Sequence, residues 1–145
     1  MNSQPIEILL VEDNPDDREL TLRALRGGNL ANRVKAVTDG VEALEYLQPG
    51  DVSQRPRDGY PRLVLLDLKL PRIDGIEVLR RLKGAPDTAI IPVVVLTSSH
   101  EERDLVETCK LGVNSYIVKP VDFDQFQHAV REVGLYWLLL NNVPE

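Results

Sequence analysis

Residues 63–75 read LVLLDLKLPRIDG, an apolar run with a carboxylate near its end, followed by Pro, Asp and Gly. The run lacks the alternation of a half-buried strand and predicts a strand covered on both faces, as in a parallel sheet between helices. Four further apolar runs lie at residues 6–11, 33–37, 90–96 and 116–118. The sequence therefore predicts five strands. A charge is almost never fully buried unless it is paired, so Asp67 inside such a run indicates a function.

Helical patterns separate these runs. The first helix begins with Asn14 as N-cap and Pro15 at its first position, and Gly27 and Gly28 end it. Apolar residues at helical spacing predict the buried stripes of five helices: Leu20, Ala24 and Leu25; Val41, Leu44 and Leu47; Ile76, Leu79 and Leu82; Leu105, Val106 and Cys109; Phe123, Phe126, Val130 and Val133. Strands that alternate with helices predict an α/β fold, a doubly wound parallel sheet with helices on both faces.

Length and composition set limits on the function. The 145 residues carry 17 Lys and Arg against 23 Asp and Glu, a net charge of −6, which disfavours binding to DNA. We expect a single domain over residues 1–145 without an output domain, and a surface loop at residues 49–61. With one Cys, no signal segment before residue 6 and no apolar stretch long enough for a bilayer, we expect a cytoplasmic protein without a membrane partner.

Polar side chains follow the predicted strands at one edge of the sheet. Glu12 and Asp13 follow the first strand, Asp67 ends the third, Thr97 follows the fourth and Lys119 the fifth. Ligands of open α/β sheets bind outside the carboxyl ends of the strands. Three carboxylates gathered there repel one another unless a cation neutralises them, and their oxygen atoms suit Mg²⁺. Lys119 and Thr97 could hold a phosphoryl group, with Asp67 as its nucleophilic acceptor.

Each of these residues also has a simpler interpretation. Glu12 and Asp13 could be helix-start charges, Thr97 a strand-end residue and Lys119 a surface lysine. Their joint placement favours a site. A nucleotide-binding enzyme of similar fold is disfavoured, because the turn after the first strand has neither glycine-rich phosphate-binding pattern.

Four motifs, in this order and spacing, carry a family resemblance: ILLVEDNPDD (8–17), LVLLDLKLPRIDG (63–75), VVVLTSS (93–99) and SYIVKP (115–120). The chain resembles the CheY-like receiver domains of two-component response regulators. That resemblance implies a flavodoxin-like five-stranded sheet in the order 2-1-3-4-5. It also implies a phosphoacceptor signalling protein rather than an enzyme with a separate substrate.

The resemblance assigns roles to the predicted site. Asp67 resembles the phosphoacceptor, which takes its phosphoryl group from a histidine kinase. Glu12 and Asp13 resemble the acidic pair that binds Mg²⁺ together with Asp67, and the backbone carbonyl of Lys69 resembles a further metal ligand. The residue type at position 69 tends to tune the lifetime of the phosphoryl group in this family.

The resemblance also implies a switch. Thr97 and Lys119 resemble the hydroxyl and the lysine that contact the phosphoryl group, and Tyr116 resembles the aromatic residue that moves with the hydroxyl. A cis peptide before Pro120 is expected. The signal would leave through the surface formed by the fourth helix, the fifth strand and the fifth helix, towards a downstream protein partner.

Four further features suggest a subgroup: EDNPDDRELTLRAL (12–25), the long loop before Arg62, NSYIVKPVDFDQF (114–126) and LYWLLL (135–140). They are similar to small stand-alone regulators of phytochrome-type histidine kinases. The tail is apolar on every side, so it either folds back onto the domain or forms a homodimer interface through Tyr136, Trp137, Leu138 and Leu140. Two other functions stay open: a relay that passes the phosphoryl group to a histidine phosphotransfer protein, and a docking module that is not phosphorylated.

Overall fold

The computed structural model describes residues 6–27, 33–50 and 60–135. Five strands lie in these ranges: β1 (Ile8–Val11), β2 (Val34–Val37), β3 (Leu63–Asp67), β4 (Val93–Thr97) and β5 (Ser115–Val118). The helices in the same ranges are α1 (Pro15–Arg26), α2 (Gly40–Leu47), α3 (Gly75–Lys83), α4 (Pro86–Ala89), α5 (His100–Cys109) and α6 (Phe123–Glu132).

The strands form one parallel sheet in the order β2-β1-β3-β4-β5, so the predicted fold class and strand order are confirmed. In the central ladder, Leu10 lies opposite Leu65 and Leu66 lies opposite Val95. Every residue of β1, β3 and β4 is buried, which is why these strands are apolar on both faces. The shared register brings the carboxyl ends of all five strands to one edge of the sheet.

Two hydrophobic layers cover the sheet. One layer joins alternate strand residues to α2, α3 and Val106 of α5. The other layer joins the remaining strand residues to Leu25 of α1 and to α6, whose Phe126 is fully buried. Burying a side chain of this size contributes about 1.5–3 kcal/mol. The two layers hold the strand ends, and therefore the residues that follow them, in fixed positions.

The structure corrects the predicted start of the fourth strand. The strand does not begin at the first residue of the apolar run 90–96. Pro86 starts the one-turn helix α4 just before the run, and Pro92 has no N–H group to donate to a neighbouring strand. The strand begins at Val93, and Ile90 is 83% exposed. Because α4 precedes β4, the surface predicted for the fourth and fifth helices corresponds to α5, β5 and α6.

The predicted burial of two helix residues is wrong. Leu20 in α1 and Leu105 in α5 are exposed. The buried face of α1 instead runs through Thr21 and Leu25, and α5 buries Val106. A shift of one position turns a helical side chain by about 100°, so Leu20 and Leu105 point away from the core.

Two predicted features lie outside the described residues. Most of the loop at residues 49–61 does so, as do the interface candidates Tyr136, Trp137, Leu138 and Leu140. Within the described ranges, none of the helices has the length and apolar character to cross a membrane.

Candidate functional site

The strand ends bring the predicted site residues to one edge of the sheet. Glu12 and Asp13 follow β1, Asp67 is the last residue of β3, Thr97 is the last residue of β4, and Lys119 follows β5. Asp67 and Thr97 are buried, whereas Asp13 is exposed. The Lys119 N–H donates to the Thr97 carbonyl at 2.8 Å, which extends the β4–β5 ladder and fixes the start of the Lys119 side chain.

The turn after β1 fixes the Glu12 side chain. Asn14 caps α1, and its Oδ1 accepts the N–H of Asp17 at 2.9 Å. The Asn14 N–H donates to Oε2 of Glu12 at 3.2 Å, and the Arg18 guanidinium donates to the Glu12 carbonyl at 3.0 Å. Asn14 and Pro15 therefore start the helix and also hold a fully buried carboxylate at the site.

The Lys119 ammonium lies among three carboxylates. Its Nζ is 2.9 Å from Oε1 of Glu12, 3.1 Å from Oδ1 of Asp67 and 3.2 Å from Oδ2 of Asp17. The Lys119 side chain is 13% exposed, so these carboxylates largely replace water around it. An ammonium has three N–H donors, and each can be directed to one carboxylate.

Burial and the neighbouring charges shift the pKa values of both Glu12 and Lys119. Burial raises the pKa of Glu12 to about 7; the hydrogen bond from Lys119 opposes this shift and the charge of Asp67 adds to it. Burial lowers the pKa of Lys119, but the hydrogen bond with Glu12 and the charge of Asp67 outweigh burial and give a net upward shift. Lys119 therefore stays a cation, while Glu12 responds to any further charge at the site.

The same edge carries a donor set that fits a hard divalent cation. Glu12, Asp13 and Asp67 each offer a carboxylate oxygen, and these oxygens lie within 4.8 Å of one another. Two of the residues are buried and Asp13 is exposed, so a cation there would keep solvent on one side. Mg²⁺ prefers a few carboxylate ligands and retained water molecules. The chemistry of the donor set therefore fits Mg²⁺.

The loop after β3 packs closely behind Asp67. The Gly75 N–H donates to the Leu68 carbonyl at 2.8 Å, and Asp74 caps α3 by accepting the N–H of Glu77. A Cβ atom at position 75 would lie 2.4 Å from the Asp67 carbonyl oxygen and 2.6 Å from the Leu68 Cα. Gly75 is required here because the start of α3 touches the backbone of the predicted phosphoacceptor.

An ion pair connects the two loops beside Asp67. The Nζ of Lys69 is 3.1 Å from Oε2 of Glu102, and the Ser98 N–H donates to Oε1 of the same carboxylate at 2.8 Å. Glu102 therefore joins the loop after β3 to the start of α5. Metal binding by the Lys69 carbonyl stays a prediction.

Thr97 and Tyr116 line one cleft. The cleft has a volume of about 280 Å³ and also contacts Ser98, Arg103, Val118 and Gln125. The Arg103 guanidinium carbon lies 4.7 Å from the centre of the half-buried Tyr116 ring, at cation–π distance. Burial raises the pKa of Tyr116, with a smaller contribution from the charge of Glu107, which keeps the phenol neutral. Space is available between the two predicted switch residues.

The structure thus brings together Glu12, Asp13, Asp67 and Lys119, and it places Thr97 and Tyr116 on one cleft. The Lys119–Pro120 peptide bond is cis. Sequence reasoning did not identify two contributors. Asp17 lies in the first turn of α1, where acidic residues are common for reasons of helix stability alone. Glu102 carries no signal besides its place three residues after the N-cap Ser99, where a capping-box glutamate belongs.

Comparison with known proteins agrees with this geometry. The family model described as response regulator receiver domain matches residues 8–131. The chain is 41% identical over 140 residues to "Probable methanogenesis regulatory protein FilR2" of Methanothrix harundinacea (strain 6Ac), with 97% of this chain and 88% of that protein covered. It is 38% identical over 144 residues to response regulator Rcp1 of Synechocystis, with 99% and 96% covered.

Solved structures are similar as well. The bacteriophytochrome response regulator AtBRR matches with a TM-score of 0.84 and 52% identity, over 93% of this chain and 96% of that one. The Mn(2+)-bound form of response regulator Rcp1 matches with a TM-score of 0.70 and 39% identity, over 92% and 95%.

Proposed function

Because the chain belongs to the response regulator receiver domain family, we propose that it is a phosphorylation switch in which Asp67 accepts a phosphoryl group from a histidine kinase. The observation that supports this most directly is the Lys119 ammonium, 3.1 Å from the Asp67 carboxylate at a strand end that also carries two more carboxylates. A buried carboxylate in this setting has a cation in place for the charge that a phosphoryl group brings.

The proposed transfer is a substitution at phosphorus. A carboxylate oxygen of Asp67 attacks the phosphorus atom of a phosphohistidine, an O–P bond forms, and the P–N bond breaks. The electron pair stays with the imidazole nitrogen, which takes a proton from solvent. Lys119 stabilises the charge on the phosphoryl oxygens, and the Thr97 hydroxyl donates a hydrogen bond to one of them.

Mg²⁺ is the proposed cofactor. Glu12, Asp13 and Asp67 would hold it, with the carbonyl of Lys69 as a further ligand. Bound there, the ion would offset the negative charge of the carboxylates and of the incoming phosphoryl group. A relative of similar fold, response regulator Rcp1, has a Mn(2+)-bound form, which supports a divalent cation as cofactor.

The partners follow from the relatives. AtBRR is named a bacteriophytochrome response regulator, so we propose a phytochrome-type histidine kinase as the phosphodonor. Response regulator Rcp1 is matched over 96% of its length, which supports a signalling role for this chain as a receiver domain. A cytoplasmic location suits such a partner. Homodimerisation through the apolar tail stays part of the proposal.

The signal would leave through the surface formed by α5, β5 and α6. Engagement of Thr97 by a phosphoryl group would draw Tyr116 into the cleft that both residues line, at the expense of its contact with Arg103. Leu105 and Val118 are 53% and 56% exposed on this surface. Apolar residues exposed beside a moving aromatic ring suit the binding of a downstream protein.

Intact-mass measurement after incubation with acetyl phosphate tests the proposal. We expect one added phosphoryl group in Mg²⁺, none in EDTA and none in Asp67→Asn. Asp124→Asn is the matched control, since Asp124 is an exposed carboxylate in the first turn of α6, and it should be modified like the wild type. Modification of Asp67→Asn to the wild-type extent would assign the phosphoacceptor elsewhere.

A further inference from the structure

Asp17 contacts the site from a helix that carries none of the predicted functional residues. It lies in the first turn of α1, and its Oδ2 is 3.2 Å from Nζ of Lys119, although 102 residues separate the two in sequence. The position of Asp17 is fixed, because its own N–H donates to the capping Asn14 at 2.9 Å. The contact therefore joins a rigid helix start to the lysine that follows β5.

The three carboxylates around Lys119 are not equivalent. Glu12 and Asp67 belong to the donor set for a cation, and Asp67 is also the proposed phosphoacceptor, whereas Asp17 lies outside that set. Binding of a cation or of a phosphoryl group changes the charge on Glu12 or Asp67. Asp17 is the carboxylate contact of Lys119 that neither event alters.

We infer that Asp17 is a positioning residue, which holds the Lys119 ammonium so that one of its N–H groups points at the phosphoryl group on Asp67. The inference rests on the proposed phosphoryl transfer and adds a residue to it. Of the three contacts, the one with Asp17 has the geometry of a hydrogen bond, whereas Glu12 and Asp67 lie at ion-pair distance. An ammonium held at Asp17 by one N–H group keeps a further N–H group for a phosphoryl oxygen on Asp67. Without Asp17, water would take one donor and the long lysine side chain would sample more rotamers.

The exposure of the Asp17 side chain determines how large an effect we expect from Asp17→Ala. The Asp17 side chain is 34% exposed, and a partly exposed ion pair changes an equilibrium or a rate by about two- to fivefold. Asp17→Ala should therefore lower the rate constant for phosphorylation by acetyl phosphate by about that factor at saturating Mg²⁺. Asp16→Ala is the matched control, because Asp16 is the neighbouring exposed carboxylate in the same helical turn.

A double-mutant cycle separates positioning from general charge effects. Both alanine substitutions are repeated in a Lys119→Gln background, in which Asp17→Ala should have no further effect on the phosphorylation rate constant. The same cycle is measured by urea unfolding in EDTA, where the folded-to-unfolded ratio should fall about two- to fivefold more from Asp17→Ala with Lys119 present than without it. This second measurement needs neither metal nor phosphodonor.

Several results would overturn the inference. One such result is a phosphorylation rate constant for Asp17→Ala that equals that for Asp16→Ala. Another is an Asp17→Ala substitution that lowers the rate constant as much in the Lys119→Gln background as in the wild type. If the wild type is never phosphorylated, the proposed function fails and this inference fails with it. Normal phosphorylation of the wild type with no Asp17 effect rejects the inference alone.

Discussion

Replacement of Gly75 by Ala tests how closely the start of α3 approaches the phosphoacceptor. The added Cβ would lie 2.4 Å from the Asp67 carbonyl oxygen and 2.6 Å from the Leu68 Cα. Cβ contacts under 3.0 Å essentially never occur, and both of these neighbours are backbone atoms, so no side chain can rotate away. The backbone around Asp67 would have to move by about 0.6 Å to bring the shorter contact to that limit.

Two opposing contributions determine how much Gly75→Ala changes the free energy of unfolding. Overpacking of a filled site costs about 1–3 kcal/mol, whereas Ala in place of Gly restricts the unfolded chain and returns about 0.4–1 kcal/mol. We expect Gly75→Ala to lower the free energy of unfolding by about 1–2 kcal/mol. With a urea slope of about 2 kcal/mol/M, the unfolding midpoint falls by about 0.5–1 M.

Gly84→Ala is the control from the other end of the same helix. Gly84 has a right-handed backbone with φ −85°, and the nearest atom to an added Cβ is the Arg80 carbonyl oxygen at 3.2 Å. This variant should be as stable as the wild type or more stable by up to about 1 kcal/mol. Gly75→Ala should also slow phosphorylation of Asp67, whereas Gly84→Ala should not. Wild-type stability of Gly75→Ala would refute the close contact.

Three further predictions concern charge at the site. Lys119→Met should lower the free energy of unfolding in EDTA by about 1–3 kcal/mol. Glu12 would lose its ammonium partner and, with its pKa already raised to about 7, would take up a proton inside the protein. A stability equal to that of the wild type in urea unfolding would contradict this. Mg²⁺ at one hundred times the dissociation constant of the wild type should stabilise the wild type by about 2.7 kcal/mol. The same Mg²⁺ concentration should stabilise Lys119→Met by more, because the competing ammonium is gone and the dissociation constant falls; equal stabilisation in unfolding experiments would argue against a shared site. Lys69→Ala and Glu102→Gln should each increase the rate at which the phosphoryl group is lost, because each removes the same ion pair. For that reason the double variant should lose the group no faster than either single variant. Unchanged phosphoryl lifetimes, measured by intact mass, would show that this ion pair does not shield the site.

The sheet could be predicted because its signal is local. Each central strand is buried on both faces, so the runs around residues 8–11, 63–67 and 93–97 stand out without knowledge of their neighbours. The start of β4 was missed because Ile90 and Ile91 are apolar, yet Pro86 and Pro92 exclude these positions from the ladder. Leu20 was misplaced since α1 has apolar residues on more than one side, and only packing against α6 selects the buried face.

The positions of the candidate site residues could be predicted for a related reason, whereas their supporting contacts could not. Glu12, Asp67 and Lys119 directly follow or end strands, so topology alone brings them together. The contact between Asp17 and Lys119 depends on the exact turn that Asn14 and Pro15 impose before α1. The contact between Lys69 and Glu102 depends on where α5 begins. Such contacts join elements that are far apart in sequence, and no pattern within either element encodes them.

Charge compensation at this edge accounts for the pairing of Lys119 with the proposed Mg²⁺. The Lys119 ammonium lies at ion-pair distance from Glu12, Asp17 and Asp67. Asp13 adds a carboxylate oxygen within 4.8 Å of those of Glu12 and Asp67. Burial raises the pKa of Glu12 to about 7, with a smaller contribution from the charge of Asp67, so a proton on that carboxylate relieves part of the repulsion. A phosphoryl group would add roughly −1.5 to −2 more charge. A divalent cation held by Glu12, Asp13 and Asp67 would offset that charge together with Lys119, so loss of either positive charge should slow phosphorylation.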